Sequence, residues 1–345
     1  MRPITIVDVA EKARVSVSTV SRVLKEEPNV SPEVRERVKA IIAKLGYTPS
    51  MAARRMGGSK SYLIISLNDR RRTIENWRSG RGNDWLDQML HGAMLTCEKA
   101  GYHFMFELVD IEAEGVEQQI AKLAGSLRPD GVILTPPISD DETVLGVLRR
   151  RKIPMVRLGA HSPGSGPRVY MDDDAAARCV TRHLLELGHR RIGFIAGSFR
   201  FPSSRRRAET FQKVMSEAGI PIHDAWLQNG DFTYQSGAAA AEALLKLDPR
   251  PTAIQASNDE MALGALHAAQ RLGVSVPEQL SIVSYDDTPT TLYSTPPLTA
   301  VRHPTAAMAA KAAELLLDAS AAGGESDTVV PFEFIQRASC APPSA

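Results

Sequence analysis

Four hydroxyl side chains, Ser16, Ser18, Thr19 and Ser21, crowd into six residues and are followed at once by Arg22. Hydroxyls donate and accept hydrogen bonds, and arginine presents a planar fork of donors that keeps its charge. On short stems such groups reach phosphate oxygens and base edges where bulkier ones would hold a backbone away. The chemistry suggested is recognition rather than bond breaking. The same stretch alternates Val15, Val17 and Val20 with serines, which is also a strand pattern. What it does depends on the element that holds it.

Bond-making chemistry has no comparable foothold. No Walker A loop, G-x-S-x-G elbow, H-E-x-x-H or dinucleotide G-x-G-x-x-G occurs. Asp172–Asp174 lacks the glycine and terminal glutamate of an EF-hand loop. Cys97, Cys179 and Cys340 lie far apart in no metal-binding spacing, as expected in a reducing compartment. His183 and His189 flank a helix end, where stabilising its C-terminal dipole is expected rather than metal binding. No catalytic residue, metal ligand or cofactor is assigned, and the chain is expected not to be an enzyme. There is no apolar leader and no apolar run near the ~20 residues that span a bilayer, so the expected location is the cytoplasm.

The elements decide the opening question. Alternation fails after Val17, because Val20, Val23 and Leu24 fall on one helical face with Ser16 as N-cap. Upstream, Thr5 can cap a helix through Ile6, Val9, Ala10 and Ala13. Downstream, Ser31–Pro32 opens an apolar stripe of Val34, Val38, Ile41, Ile42 and Leu45 that stops at Gly46. The turn Arg14–Val15–Ser16 joins the first two helices as a helix-turn-helix, whose second helix enters the DNA major groove. Charge agrees: residues 1–60 carry +6 and the remainder −5, the layout of a basic reader on a separate sensing module.

The run "TIVDVAEKARVSVSTVSRVL" with "VSPEVRERVKAIIAKLGYTPS" resembles the DNA-binding head of the LacI/GalR family of bacterial regulators. The resemblance places Val17, Ser18 and Arg22 at base-reading positions, with Arg22 suited to guanine O6 and N7. It places Thr5, Ser16, Thr19, Ser21, Asn29, Ser31 and Tyr47 against the sugar-phosphate backbone, and Thr5, Ser16 and Ser31 can cap at the same time. Lys25 stands where the family often has asparagine. "PSMAARRMGG" (residues 49–58) resembles the family's hinge helix, which is too short to hold alone in water. In it Ala53 would contact DNA, and Met56 takes the place of the apolar wedge pushed into the minor groove.

From Tyr62 onward, apolar runs alternate with helical patterns, the rhythm of parallel sheets with crossover helices. "YLIISL", "YHFMFELV", "GVILTP", "PMVRLG", "RIGFIAG", "TAIQAS" and "LSIVSYDD" are the expected strands. Asp172–Leu187, Arg206–Ala218 and Glu260–Leu272 are among the expected helices. "RHLLELGHRRIGFIAG", "PTAIQASNDEMALGAL" and "VPEQLSIVSYDDTP" extend the resemblance, which implies a core like periplasmic sugar-binding proteins. That core has two α/β lobes, three crossings and an effector in the cleft. The fold class is therefore α/β: a three-helix head (1–48), a hinge (49–60) and a two-lobed core (61–340). Lobe one is placed at about 61–160 and 291–324, and lobe two at about 161–290 and 325–340.

By the same resemblance the pocket residues are Arg207, Phe232, Asn258 and Asp286, a set suited to a polyol. Each has a plainer reading: Arg207 as one of an exposed trio with Arg205 and Arg206, Phe232 as core, Asn258 and Asp286 as turns after strands. Asp172, before "DDAAAR", is read as structural. Where the family has a short turn after its first core strand, this chain has "NDRRRTIENWRSGRGNDWLDQ", about ten residues longer. Trp85 is then expected against the effector, and Trp77 as a lid or in an exposed basic loop.

The expectation is a homodimeric repressor on a pseudo-palindromic operator of double-stranded DNA, released by a small effector, a sugar or glycoside. A nucleobase corepressor, a free solute-binding protein and an α/β enzyme with a DNA-binding accessory are the rivals. No membrane partner is expected. "CAPPSA" at the C-terminus has no heptad pattern, so nothing points to a tetramer-forming coiled coil.

Overall fold

The computed structural model describes residues 4–47, 60–164, 166–318 and 327–344. The chain divides into two compact units, Met1–Tyr62 and Leu63–Ala345. In the first, α1 (Ile6–Ala13), α2 (Val17–Leu24) and α3 (Pro32–Leu45) follow the expected signals closely. Thr5 and Asp8 form a reciprocal capping box, so two otherwise orphaned amides gain partners. Ser16 and Ser31 cap α2 and α3, and Gly46 at φ 62° ends α3 in the left-handed conformation glycine takes freely. Val9, Ala10, Ala13, Val20, Val23, Val38 and Tyr47 are buried together as a small core. The hinge expected at 49–58, with Ala53 and Met56, lies outside the described residues.

The second unit is built on two six-stranded sheets. One has the order β11-β5-β4-β3-β1-β2, with β1 Leu63–Asp69, β2 His103–Val109, β3 Gly131–Leu134, β4 Met155–Leu158, β5 Arg168–Tyr170 and β11 Thr328–Val329. The other has the order β12-β10-β9-β8-β6-β7, with β6 Ile192–Ala196, β7 Leu227–Asn229, β8 Ala253–Ala256, β9 Ser281–Asp286, β10 Thr299–Arg302 and β12 Glu333–Ile335. Pairing is parallel except where β12 runs antiparallel to β10. Helices cover both faces, which is why β1, β3, β4, β6 and β8 are buried throughout and why β3 and β6 read as unbroken apolar runs.

The sheets move the lobe boundaries expected from sequence. β5 pairs with β4, so the chain stays in lobe one to about residue 171 rather than 160. β10 pairs with β9, so lobe two runs to about 303 rather than 290. β11 pairs with β5, so the last crossing falls between 329 and 333 rather than at 324. The three crossings themselves are present. A second departure concerns the inserted segment, which forms α4 (Arg70–Ser79) with Asp69 accepting from the Arg72 amide as its cap. Trp77 on α4 is half exposed and lies 6.0 Å from the Phe106 ring on β2, not over the cleft. Among the described residues no helix is long and apolar enough to cross a membrane.

Candidate functional site

On the head, the buried side of α2 is Val20 and Val23, which leaves Val17, Ser18 and Arg22 exposed on the other. Asn29 is likewise exposed, and Thr19 and Ser21 are partly so. Ser16 Oγ lies 2.8 Å from Ser18 Oγ and 2.9 Å from Thr19 Oγ1, so the first turn carries a connected patch of hydroxyls. Arg22 has only a loose ion pair with Glu27 at 4.0 Å, both side chains being well exposed. Such a pair is worth little and leaves the guanidinium able to swing to a new acceptor. Tyr47 differs: it is 7% exposed within the head core, where burial raises its phenol pKa.

In the second unit a cavity of about 190 Å³ opens between the two sheets' C-terminal ends, where ligands of open α/β folds sit. Lobe one contributes Asp69 at the end of β1, Arg72 from α4, and Asp84 and Trp85 from the first turn of α5 (Asp84–Lys99). Lobe two contributes Phe201, Arg207, Phe232, Asn258, Asp259 and Asp286. All five residues expected at an effector, Trp85, Arg207, Phe232, Asn258 and Asp286, line this one cavity.

Their geometry assigns different jobs. Arg207, on α9 (Pro202–Glu217), is 4% exposed. Its Nε donates to Asp173 Oδ1 at 2.8 Å and its Nη1 to the Ser257 carbonyl at 2.8 Å. The guanidinium lies 4.3 Å from the Tyr285 ring centre, a cation–π contact shielded from water. Arg207 is therefore no member of an exposed trio. Asn258 caps α11 (Asp259–Arg271) by accepting from the Met261 amide at 3.0 Å, and its Nδ2 donates to the Phe232 carbonyl at 3.1 Å. It holds Phe232 in place and keeps one amide hydrogen. Phe232 sits at φ 72°, its ring packed edge-on to Phe201 and so close to Gly197 that a Cβ there would lie 2.1 Å from the ring. Gly197 is glycine because the aromatic wall needs that space.

Asp286 and Asp287 are adjacent and end differently. Asp287 is 3% exposed through its side chain and pairs with Arg302 at 2.8 Å and Arg337 at 2.6 Å. Asp286 has φ 102°, a conformation side chains rarely adopt and one that costs of order 1–3 kcal/mol. The twist turns its carboxylate into the cavity. Burial pushes the Asp286 carboxyl up to about 6; Arg207 opposes the rise, and Asp84 and Asp173 add to it. Asp259 is raised well above the ordinary carboxylate range, chiefly by burial, while Ser284 Oγ at 2.5 Å and the Thr288 amide at 2.6 Å hold it.

Sequence reasoning passed over several partners. Asp172 caps α8 (Asp173–Glu186) by accepting from the Ala175 amide, as its structural reading implies. Its neighbour Asp173 carries the ion pair to Arg207 and also faces His161 Nε2 at 3.5 Å. Arg72 reaches across the cleft to the Asp231 and Phe232 carbonyls at 3.2 and 3.3 Å. From the other side, Arg200 Nη1 donates to Asp69 at 2.6 Å and its Nε to Glu112 at 2.9 Å. Both lobes are thus tied across the cleft by side chains that no local pattern marks.

The histidines require a correction. His183 and His189 both have pKa values lowered by burial, so neither supplies the charge a helix dipole would favour. His189 instead bridges Thr252 Oγ1, Ser281 Oγ and the Ala341 carbonyl. His303 goes furthest, to about 4 from 6.5, again chiefly by burial. A histidine depressed in the folded state stays neutral while the unfolded chain takes up a proton. Stability should therefore fall as pH drops from 6.5 towards about 4, by roughly 1 kcal/mol per pH unit for this group. Urea unfolding of wild type and His303→Asn at pH 7 and 4.5 tests it: the wild type should lose more on acidification than the variant. Equal losses would show that His303 titrates normally in the fold.

Among the described residues no cluster of three or more His, Cys, Asp or Glu is arranged to hold a metal. Residues 5–50 match the bacterial regulatory proteins of the lacI family, and residues 181–340 a periplasmic binding protein-like domain. Catabolite control protein A of Priestia megaterium is 31% identical over 316 residues, 91% of each chain. The lac repressor dimer bound to operator and the anti-inducer ONPF superposes with a TM-score of 0.83 at 26% identity, covering 99% of this chain and 100% of that one. The transcriptional regulator CelR in complex with cellobiose superposes at 0.71 with 28% identity, covering 98% and 100%. Helical head, paired α/β lobes and likeness over nine-tenths of the length agree, and the chain belongs to the LacI family of DNA-binding transcriptional regulators.

Proposed function

We propose that this regulator is a repressor that binds a two-fold symmetric operator as a homodimer and lets go when a polyhydroxyl effector, a sugar or glycoside, fills the cleft. The observation that carries the effector class is the cavity wall: carboxylates and an amide beside the aromatic faces of Trp85, Phe201 and Phe232. Hydroxyls donate to carboxylates, and apolar C–H faces rest on aromatic rings. CelR, bound to cellobiose, and the lac repressor, a dimer on its operator, support the reading. Because Arg72 and Arg200 tie the lobes across the cleft, an effector that prefers one lobe angle shifts the whole core. The preference is essential, since equal affinity for both states moves nothing. Ala53 and Met56 are proposed to reach the minor groove from the hinge.

Selection of bound duplexes from a random DNA pool, without effector, tests the reading. One symmetric site should be enriched, and sugars that fit the cleft should release the protein from it. Enrichment of an asymmetric site would count against the dimer, and retention on DNA with every polyol tried would count against the effector class. On the selected site Arg22→Ala should relax base preference at one position per half-site by about 1–3 kcal/mol. A uniform weakening on all sequences would instead make Arg22 a phosphate contact.

A further inference from the structure

The cavity wall carries more negative charge than its own cations neutralise. Arg207 gives its hydrogen bonds to Asp173 and Ser257, and Asp69 is paired with Arg200. Arg72 donates to carbonyls, not to a carboxylate. Of the other carboxylates on the wall Asp259 is held by Ser284 and Thr288, which leaves Asp84 on lobe one and Glu260 and Asp286 on lobe two. Among the described residues neither Asp84 nor Asp286 forms a side-chain hydrogen bond or ion pair, and Asp286 feels the charge of Asp84 against the opposing charges of Arg207 and Arg72. Independently, Asp69 is 4% exposed, lines the same cavity, and keeps one carboxylate oxygen buried without a donor. Three aromatic faces complete the wall, and aromatic faces beside carboxylates are the surroundings a cation prefers.

We propose that the effector bears a protonated amine on its hydroxylated ring, an amino sugar by chemical class, with the ammonium seated between Asp84 and Asp286. The inference rests on the cavity being a polyol effector site. One carboxylate stands on each lobe, so the cation replaces their repulsion by attraction and draws the lobes together. An anionic effector such as a sugar phosphate meets a wall on which carboxylates outnumber arginines, and is rejected. Asp84 also sits in the first turn of α5, where a negative charge suits the helix dipole. A purely structural role there would alter stability slightly and ligand preference not at all.

Calorimetric titration of the full chain with glucosamine, glucose, N-acetylglucosamine and glucose 6-phosphate, and with the galactose series, separates these roles. In at least one series the free amine should bind about tenfold or more tighter than its neutral counterparts, the usual margin of a charged hydrogen bond over a neutral one. The phosphate should not bind. Asp84→Asn should bring amine and neutral sugars within about threefold of each other, while Asp84→Glu restores the preference. The thermal midpoint of each variant shows that it is folded. Neutral sugars binding as tightly as amines, a preference that survives Asp84→Asn, or binding of a phosphate would overturn the proposal and leave the polyol reading standing. Binding of no sugar in either series would overturn both.

Discussion

Arg207→Ala is expected to destabilise the core by about 3–5 kcal/mol and to abolish release from DNA by effector. Asp173 is 6% exposed and its strongest partner is the Arg207 Nε at 2.8 Å. Truncating the arginine leaves a carboxylate in low dielectric with only His161, 3.5 Å away and with its pKa lowered by burial, as a replacement. It also strips the Ser257 carbonyl of a donor and Tyr285 of the cation over its ring. Urea midpoints supply the stability, and a competition binding assay on the selected operator supplies the response. The head does not depend on this pair, so operator binding without effector should persist wherever the variant remains folded. Pairing the change with Asp173→Leu should recover part of the stability but none of the response, because removing both charges relieves the uncompensated one. A loss below about 1 kcal/mol from Arg207→Ala would mean the pair is solvated in solution and the buried reading is wrong.

Val20→Asp is expected to eliminate operator binding while leaving effector affinity intact. Val20 is fully buried at the centre of the head. A core this small supplies only about 3–5 kcal/mol of net stability. A buried, unpaired carboxylate costs a comparable amount, so it unfolds the head outright. Leu63–Ala345 is a compact unit of its own, and its cavity contains no residue of the head. Gel shifts on the operator and calorimetry with the effector read the two units separately. Val17→Ala is the control, since Val17 is 41% exposed on the opposite side of α2. It should leave helicity unchanged and alter base preference only. Should Val20→Asp weaken effector binding as much as DNA binding, the two units would not be energetically separate.

The sequence is read most easily where structure is local. Thr5, Ser16, Ser31 and Gly46 each act within four residues of where they stand, as caps or stops, so three helices and their turn follow from spacing alone. The parallel strands were legible for a related reason: burial on both faces leaves mostly apolar runs, unbroken in β3 and β6. Tyr47 shows where this stops. Its place in the motif suggests a phosphate contact, and that its ring packs into the head core is decided by the helices around it.

In the cleft, resemblance named four cavity residues and the departure from the family a fifth, Trp85, but the distinctions among them are tertiary. "YDD" does not say which aspartate is which. Asp287 meets Arg302 and Arg337 from distant segments, and Asp286 is turned into the cavity by a backbone angle nothing nearby encodes. Nor do the three aspartates at 172–174 separate by pattern, although one caps a helix and the next neutralises Arg207. The inserted arginines read as an exposed basic loop, whereas Asp69 makes them a helix and Arg72 crosses to the other lobe. Lobe boundaries were displaced for the same reason, because β5, β10 and β11 take their lobes from their neighbours. Sequence alone determined the DNA-reading head and the class of fold, since caps, periodicity and buried runs act over a few residues, and it gave the family through resemblance. The tertiary structure alone decided which charges are neutralised and which face the cleft, because those pairings join residues 15 to 160 positions apart and form only when the lobes do.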